Sequence, residues 1–365
     1  MSAKLPSILQ MEGWQNRHYN GLIWTSRLVT FTEIFIMKHI TLLYPEGQCN
    51  LSTVACIVGT VEIFSRANDY WVKAGNKEKF RLAVAGITPK DQYIHNLVAL
   101  KPDTYIGAIA KTDLIIIPSA MPDKHTAESK VMFDWISQQY KAGAEIASMC
   151  SGAFILAATG IMDGRSCSTH WSFAERFKEM YPKVNLHSDK LITDEKGIYT
   201  NGGAYSFLNL VLYLIEKYYD RETAILCSKV FQIELDRNSQ SAFAIFTGQK
   251  QHGDIMVQQA QTYIENNIDE KISMEDLSSK LAIGRRNFDR RFIKATGNTP
   301  VEYAQRVKME SAKKALESTR KTINEIMYEV GYSDVKAFRE VFRRITGLSP
   351  LEYKNKYNKE AAAGY

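Results

Sequence analysis

Little in this chain of 365 residues points outside an aqueous compartment. Its five cysteines (Cys49, Cys56, Cys150, Cys167 and Cys227) are odd in number and none stands in a Cys-x-x-Cys pair. Neither a disulfide framework nor a zinc site is therefore expected. No apolar run approaches the roughly 18 residues needed to span a bilayer, and the first residues lack the layout of a secretory signal. The expectation is a cytoplasmic protein with no metal, no cofactor and no membrane partner. Glycine (21) and proline (9) are sparse, which excludes collagen-like and low-complexity classes. What remains is an ordinary globular composition, 45% hydrophobic and 24% charged, in a chain long enough for roughly two to three domains.

The charge is unevenly placed. Residues 255–365 carry 20 Lys and Arg against 15 Asp and Glu, and the rest of the chain carries 26 against 25. The surplus coincides with an internal repeat. Residues 284–297 read GRRNFDRRFIKATG, and residues 333–347 read SDVKAFREVFRRITG; Phe288, Phe292, Thr296, Gly297, Pro300, Glu302 and Tyr303 each recur 50 positions later. Upstream the offset is 49, pairing Leu277 with Ile326 and Leu281 with Val330, so the second copy holds one extra residue in its turn. In each copy a capping residue, Ser273 or Thr322, opens a short helix, a turn follows, and a second helix buries its two phenylalanines four residues apart. This is a doubled helix-turn-helix pattern. The outer face of the second helix then presents Arg285, Arg286, Asp289 and Arg290 in the first copy, and Lys336, Arg339, Glu340 and Arg343 in the second. Arginine can grip a guanine edge through two hydrogen bonds, while its neighbours hold phosphates. One such face could be a solvated basic surface; two in register point to double-stranded DNA.

Upstream, short apolar strands alternate with helices from His39 to Tyr219, the pattern of a parallel sheet covered on both faces. Residues 1–36 carry no clear periodicity. Met37 begins the first strand, so 1–36 is expected to be a misread start or a disordered extension, with an N-terminal helix as the alternative. Residues 37–234 form the α/β domain, 235–254 a polar interdomain linker, 255–357 the all-α domain, and 358–365 a frayed tail. Within the α/β part, Ser148-Met-Cys-Ser-Gly152 lies between a strand and a helix at the spacing of a nucleophile elbow. Such a turn places Cys150 at the carboxyl end of the sheet, where open α/β folds bind ligands, and His170 could partner it. A buried small residue is the plain alternative for Cys150; the elbow spacing favours a pocket role.

Residues 255–357, with Gly331-Tyr-Ser-Asp334 and the closing run from Phe342 to Tyr353, resemble the AraC/XylS-type DNA-binding domain. That resemblance implies two recognition helices in successive major grooves, with Glu340 standing where the family commonly has arginine. The run Cys150–Arg165, Thr169-His-Trp171 and Thr200-Asn-Gly-Gly-Ala204 resemble the DJ-1/PfpI superfamily, whose fold is flavodoxin-like. Two departures argue against hydrolysis: Ser52 stands where a glutamate is usual, and Pro118-Ser-Ala120 replaces the Gly-Gly that donates oxyanion-hole amides. The resemblance implies an effector pocket at Ser119, Cys150, His170 and Asn201, kept for binding a small, nitrogenous metabolite. It implies also a homodimer and RNA polymerase as a further partner. The expectation is a non-enzymatic, metabolite-sensing transcription regulator; the alternatives are a Cys150-dependent hydrolase (an amidase or a glyoxalase-like enzyme) or a thiol redox sensor, each fused to a DNA-binding domain.

Overall fold

The computed structural model describes residues 37–94, 96–120 and 127–358. Residues 1–36, and with them the expectation of a misread start, lie outside the described residues, as does nearly all of the tail.

Chain order in the first half is β1 Lys38–Tyr44, α1 Leu51–Lys73, β2 Phe80–Gly86, the hairpin β3 Gln92–Ile94 and β4 Val98–Leu100, β5 Thr104–Tyr105, β6 Leu114–Ile117, α2 Ala127–Lys141, β7 Glu145–Met149 and α3 Gly152–Ala158. It continues through β8 Ser166–Cys167, α4 Ala174–Met180, β9 Asn185–Leu186, β10 Ile192–Glu195, β11 Ile198–Asn201, α5 Phe207–Tyr218 and α6 Arg221–Phe231. Seven strands form one sheet in the order β10-β11-β7-β6-β1-β2-β5. All its neighbours are parallel except the β10–β11 hairpin. The apolar run of β6 explains why such strands read as continuous: Leu114 and Ile116 join the core under α1, α5 and α6, while Ile115 and Ile117 join the core under α2, α3 and α4. Side chains alternate between faces, and both faces are covered. The carboxyl ends of β1, β6, β7 and β11 thus converge on one edge, and the Cys150 elbow follows β7 there.

The second half is helical: α7 Ile255–Asn266, α8 Met274–Lys280, α9 Arg285–Thr296, α10 Pro300–Ser318, α11 Ile323–Glu329, α12 Val335–Thr346 and α13 Pro350–Tyr357. Its local signals repeat. Thr299, Thr322 and Ser349 each complete a capping box with a glutamate three residues on, and Pro300 and Pro350 sit in the first turns they open. Ser273 caps α8 by accepting the Asp276 amide alone. The two copies keep separate cores, one around Phe288, Phe292 and Tyr303, the other around Phe338, Phe342 and Tyr353. Only α10 serves both, giving Tyr303 and Ala304 to the first and Met309, Ala312 and Leu316 to the second.

The polar stretch read as a linker does not hang free. Ser239 bridges to Lys190, Gln240 is 2% exposed, and Phe246 packs edge-on against Tyr303. It is a strap laid across both halves.

Because the two helical cores are separate, Phe338→Ala is expected to cost about 3–5 kcal/mol in the second alone. Amide exchange should quicken across α11 to α13 while α7 to α9 keep their protection; equal loss in both would contradict the separation.

Candidate nucleic-acid interface and nucleophile-elbow site

Cys150 is held at φ +54, a left-handed conformation that costs a non-glycine residue about 1–3 kcal/mol. The surroundings enforce it: its amide donates to Asn201 O at 3.2 Å and its carbonyl accepts from Thr169 Oγ1 at 2.9 Å. The thiol residue is 7% exposed. Beside it, Ser119 and Ser151 share a hydrogen bond of 2.9 Å, and the Ser151 hydroxyl also donates to Ala120 O and accepts the Ala120 amide at 3.1 Å. An amide occupied in this way is not free to stabilise an oxyanion. The departure at Pro118-Ser-Ala120 thus has a structural counterpart.

His170 does not reach Cys150. No hydrogen bond joins them; instead Nδ1 accepts the Ser172 amide at 3.1 Å and lies 2.7 Å from the Ser172 hydroxyl. Nδ1 as acceptor leaves the proton of the neutral ring on Nε2. The ring stacks near Trp171 and Phe173, and burial lowers its pKa. On its other side it lies against Gly203, where an added Cβ would fall 1.9 Å from His170 Cδ2. Only glycine fits there. Asn201, completely buried, turns its amide to Leu191 O and Ser206 O and accepts from Ser206 Oγ. Ser119 and Asn201 therefore build the walls of the site, and the His170 edge is its accessible side. Of the remaining thiols, burial pushes Cys56 and Cys167 up to about 12 and Cys227 to about 11. Among the described residues, no group of three or more His, Cys, Asp or Glu could hold a metal ion, and no helix is long and apolar enough to cross a membrane.

Sequence reasoning missed Gln240. Its Oε1 accepts the amides of Gly203 (3.1 Å) and Trp171 (3.3 Å), and its Nε2 donates to Thr169 O (2.8 Å) and Lys190 O (3.3 Å). One side-chain amide thus gathers the three loops around His170. Nothing in the polar sequence of the strap distinguishes this glutamine from its neighbours. A few residues on, Ala244 O accepts from Lys313 Nζ at 2.6 Å, the Phe246 amide donates to Glu310 at 3.1 Å, and Lys313 and Glu310 form a buried ion pair at 2.7 Å. Alongside runs a cleft of about 510 Å³, lined by Trp171 and Glu175 from the first half and by Arg306 and Arg344 from the second. Cys150 is not among its lining residues.

The helix-turn-helix faces divide the predicted contacts. Arg285 bonds Asp289 through Nε at 2.8 Å and Glu275 through Nη1 at 2.5 Å, tying α9 to α8. Arg285 and Asp289 were expected on the DNA face; the structure engages them with each other. Arg286 is exposed without a partner among the described residues, and Arg290, also exposed, touches only Asn287 at 2.9 Å. On α12, Lys336 and Glu340 stand 4.0 Å apart and largely exposed, with Arg339 and Arg343 exposed beside them. Both helices end in a left-handed glycine, and both ends meet chain outside the helical half: a Cβ on Gly297 would lie 3.5 Å from Glu175 of the first half, and one on Gly347 would lie 3.9 Å from Ser239 and Ser241 of the strap.

Comparison with known proteins matches residues 61–217 to the DJ-1/PfpI family and residues 277–356 to a helix-turn-helix domain. Over 304 residues the chain is 22% identical to the HTH-type transcriptional regulator GbdR of Pseudomonas aeruginosa, covering 82% of this chain and 80% of that one. It is 26% identical over 218 residues to the HTH-type transcriptional regulator GlxA of Rhizobium meliloti, covering 58% and 65%. Among solved structures, Drosophila melanogaster DJ-1beta aligns with 55% of this chain and all of its own, at 17% identity and a TM-score of 0.44.

Burial holds His170 below its ordinary 6.5. Below about that pH the unfolded chain takes up a proton that the folded chain resists, so stability falls as pH falls. Urea titrations on either side of about pH 6.5 should show a smaller fall for His170→Gln than for the wild type; equal falls would remove His170 from the acid response.

Proposed function

We propose, for a chain that joins a DJ-1/PfpI domain to an AraC-type helix-turn-helix domain, that it is a cytoplasmic, homodimeric transcription regulator whose first domain senses a small metabolite. The observation that carries the reading is the pair of outward helix faces, Arg286 and Arg290 on α9, and Lys336, Arg339 and Arg343 on α12, standing on two separately packed helix-turn-helix cores. A helix-turn-helix lays its second helix in the major groove. With Arg285 and Asp289 engaged internally, base reading by α9 falls to Arg286 and Arg290. On α12, the loose Lys336–Glu340 pair leaves Arg339 and Arg343 to hold phosphates.

The effector acts at the His170 edge, where the Trp171 loop borders both the elbow and the cleft. A ligand there needs different affinities for two arrangements of the protein to change its output. Gln240 supplies the connection, since the amides and carbonyls that it holds belong to the loops that a ligand would displace, and the strap beyond it is tied to α10. The absence of a Cys150–His170 hydrogen bond favours sensing over hydrolysis.

Arg290→Ala should lose about 1–3 kcal/mol of discrimination between bound and random duplexes. Arg343→Ala should weaken all duplexes alike and lower the salt slope by about one. Equal loss on specific and random DNA for Arg290→Ala would remove it from base reading. A metabolite that raises the melting temperature of the full chain should alter DNA affinity in the wild type and in Cys150→Ser. In Gln240→Ala it should still raise the melting temperature yet leave DNA affinity unchanged. Loss of the response in Cys150→Ser would instead favour the hydrolase or the thiol sensor.

A further inference from the structure

The two helix-turn-helices meet at one buried ammonium. Lys308, midway along α10, is 7% exposed, and its Nζ donates to Glu270 O at 2.8 Å and to Val330 O at 3.0 Å. Glu270 lies in the α7–α8 connection of the first copy, and Val330 ends α11 in the second. The Tyr332 ring stands 5.7 Å from the same nitrogen. Among the described residues no carboxylate pairs with it at salt-bridge distance; Asp269 favours the charge from farther off, and the direct contacts are carbonyl dipoles from both copies.

The turns of the two copies show what this contact demands. Ala282 and Gly331 occupy the same place, each following the end of the first helix, each with its amide on a carbonyl three residues back and each left-handed, at φ +50 and +70. Ala282 is exposed and carries its methyl into solvent. At Gly331 a Cβ would fall 2.6 Å from Asp269 O and 2.6 Å from Lys308 Nζ. The second turn is thus pressed against the first copy, and the first turn is pressed against nothing comparable. Their cores are separate, so this contact, together with the shared helix α10 and the strap that touches both copies, sets how one reading helix lies relative to the other.

We infer that Lys308, with Gly331, is a positioning residue that sets the separation at which the two helices read DNA. The inference rests on the DNA-binding reading above. Lys308 touches no base. It makes the two helices one rigid reader, so that two short recognition elements are accepted at a single spacing, about one helical turn of 10–10.5 base pairs apart. A charge-assisted hydrogen bond of this kind is strong enough to enforce such a choice by about tenfold.

The test is selection of duplexes by the full-length protein from a randomised pool, with the spacing between the two enriched elements counted by sequencing. Wild type should yield one spacing. Lys308→Met, an apolar side chain of similar length, should yield several, and its preference for the wild-type spacing over one longer by a single base pair should fall by about tenfold. Gly331→Ala disturbs the same contact from the other side and should broaden spacing likewise if Lys308→Met does not fold. Val257→Ala, which loosens the first core at the end of α7 opposite the connection to α8, should weaken binding while keeping the single spacing. A single unchanged spacing in folded Lys308→Met or Gly331→Ala overturns the inference, as does equal broadening in Val257→Ala. If wild type enriches no sequence, the DNA-binding reading falls and takes this one with it.

Discussion

A primary amide sealed from water must satisfy two donor hydrogens and a carbonyl oxygen, or be strongly destabilising. Gln240 does so with backbone groups from residues 169, 171, 190 and 203, and so fixes the strap to the first half. Those four residues belong to loops at the carboxyl edge of the sheet, where the elbow lies. Because the glutamine belongs to the strap, the edge of one domain and the approach to the other share a single hydrogen-bonded centre. The strap then runs into a second buried polar group, the Lys313–Glu310 pair under Ala244 and Phe246. A buried ion pair adds little stability of its own but is costly to break, so both ends of the strap resist displacement.

The elements that sequence made legible are those in which local chemistry agrees with tertiary packing. The Phe288/Phe292 and Phe338/Phe342 pairs gave away both helical cores because a four-residue spacing has few other uses. The β6 run was legible because a strand buried on both faces favours an unbroken apolar run. The elbow could be placed from Ser148 to Gly152 because small residues stand two positions before and two positions after Cys150. Contacts between distant polar groups carried no such mark. Gln240 sits in a stretch as polar as any loop, and the partners of His170 and Asn201 are mostly backbone atoms, which have no sequence signature. Lys308 left a faint trace, a lysine between Ala304 and Ala312 on the inward stripe of α10, where periodicity asks for an apolar residue. Arg285 and Asp289 are ambiguous for a different reason. Their i,i+4 spacing suits an ion pair along the helix as well as an outward face, and composition alone does not choose between them.

The duplicated domain is symmetric in its cores and asymmetric in its surroundings. Both copies use the same phenylalanine pair, the same capping box after the second helix and the same left-handed turn, yet one turn faces solvent and the other faces protein. The extra residue in the second copy falls just after that turn, in Tyr332-Ser-Asp334, where the chain passes from the docked glycine to an aspartate N-cap that the first copy lacks.

The glycines that close α9 and α12 set the first domain and the strap against the heel of each helix. Each helix has 12 residues and is about 18 Å long. Pivoting about its middle, such a rod turns a sideways push of about 1 Å at the heel into an opposite swing of about 1 Å at its leading end, a tilt of roughly 6°. Base edges are recognised over hydrogen-bond distances that tolerate only a few tenths of an ångström. Movements of Glu175 or Ser239 too small to count as a domain rearrangement are then already large on the scale at which DNA is read.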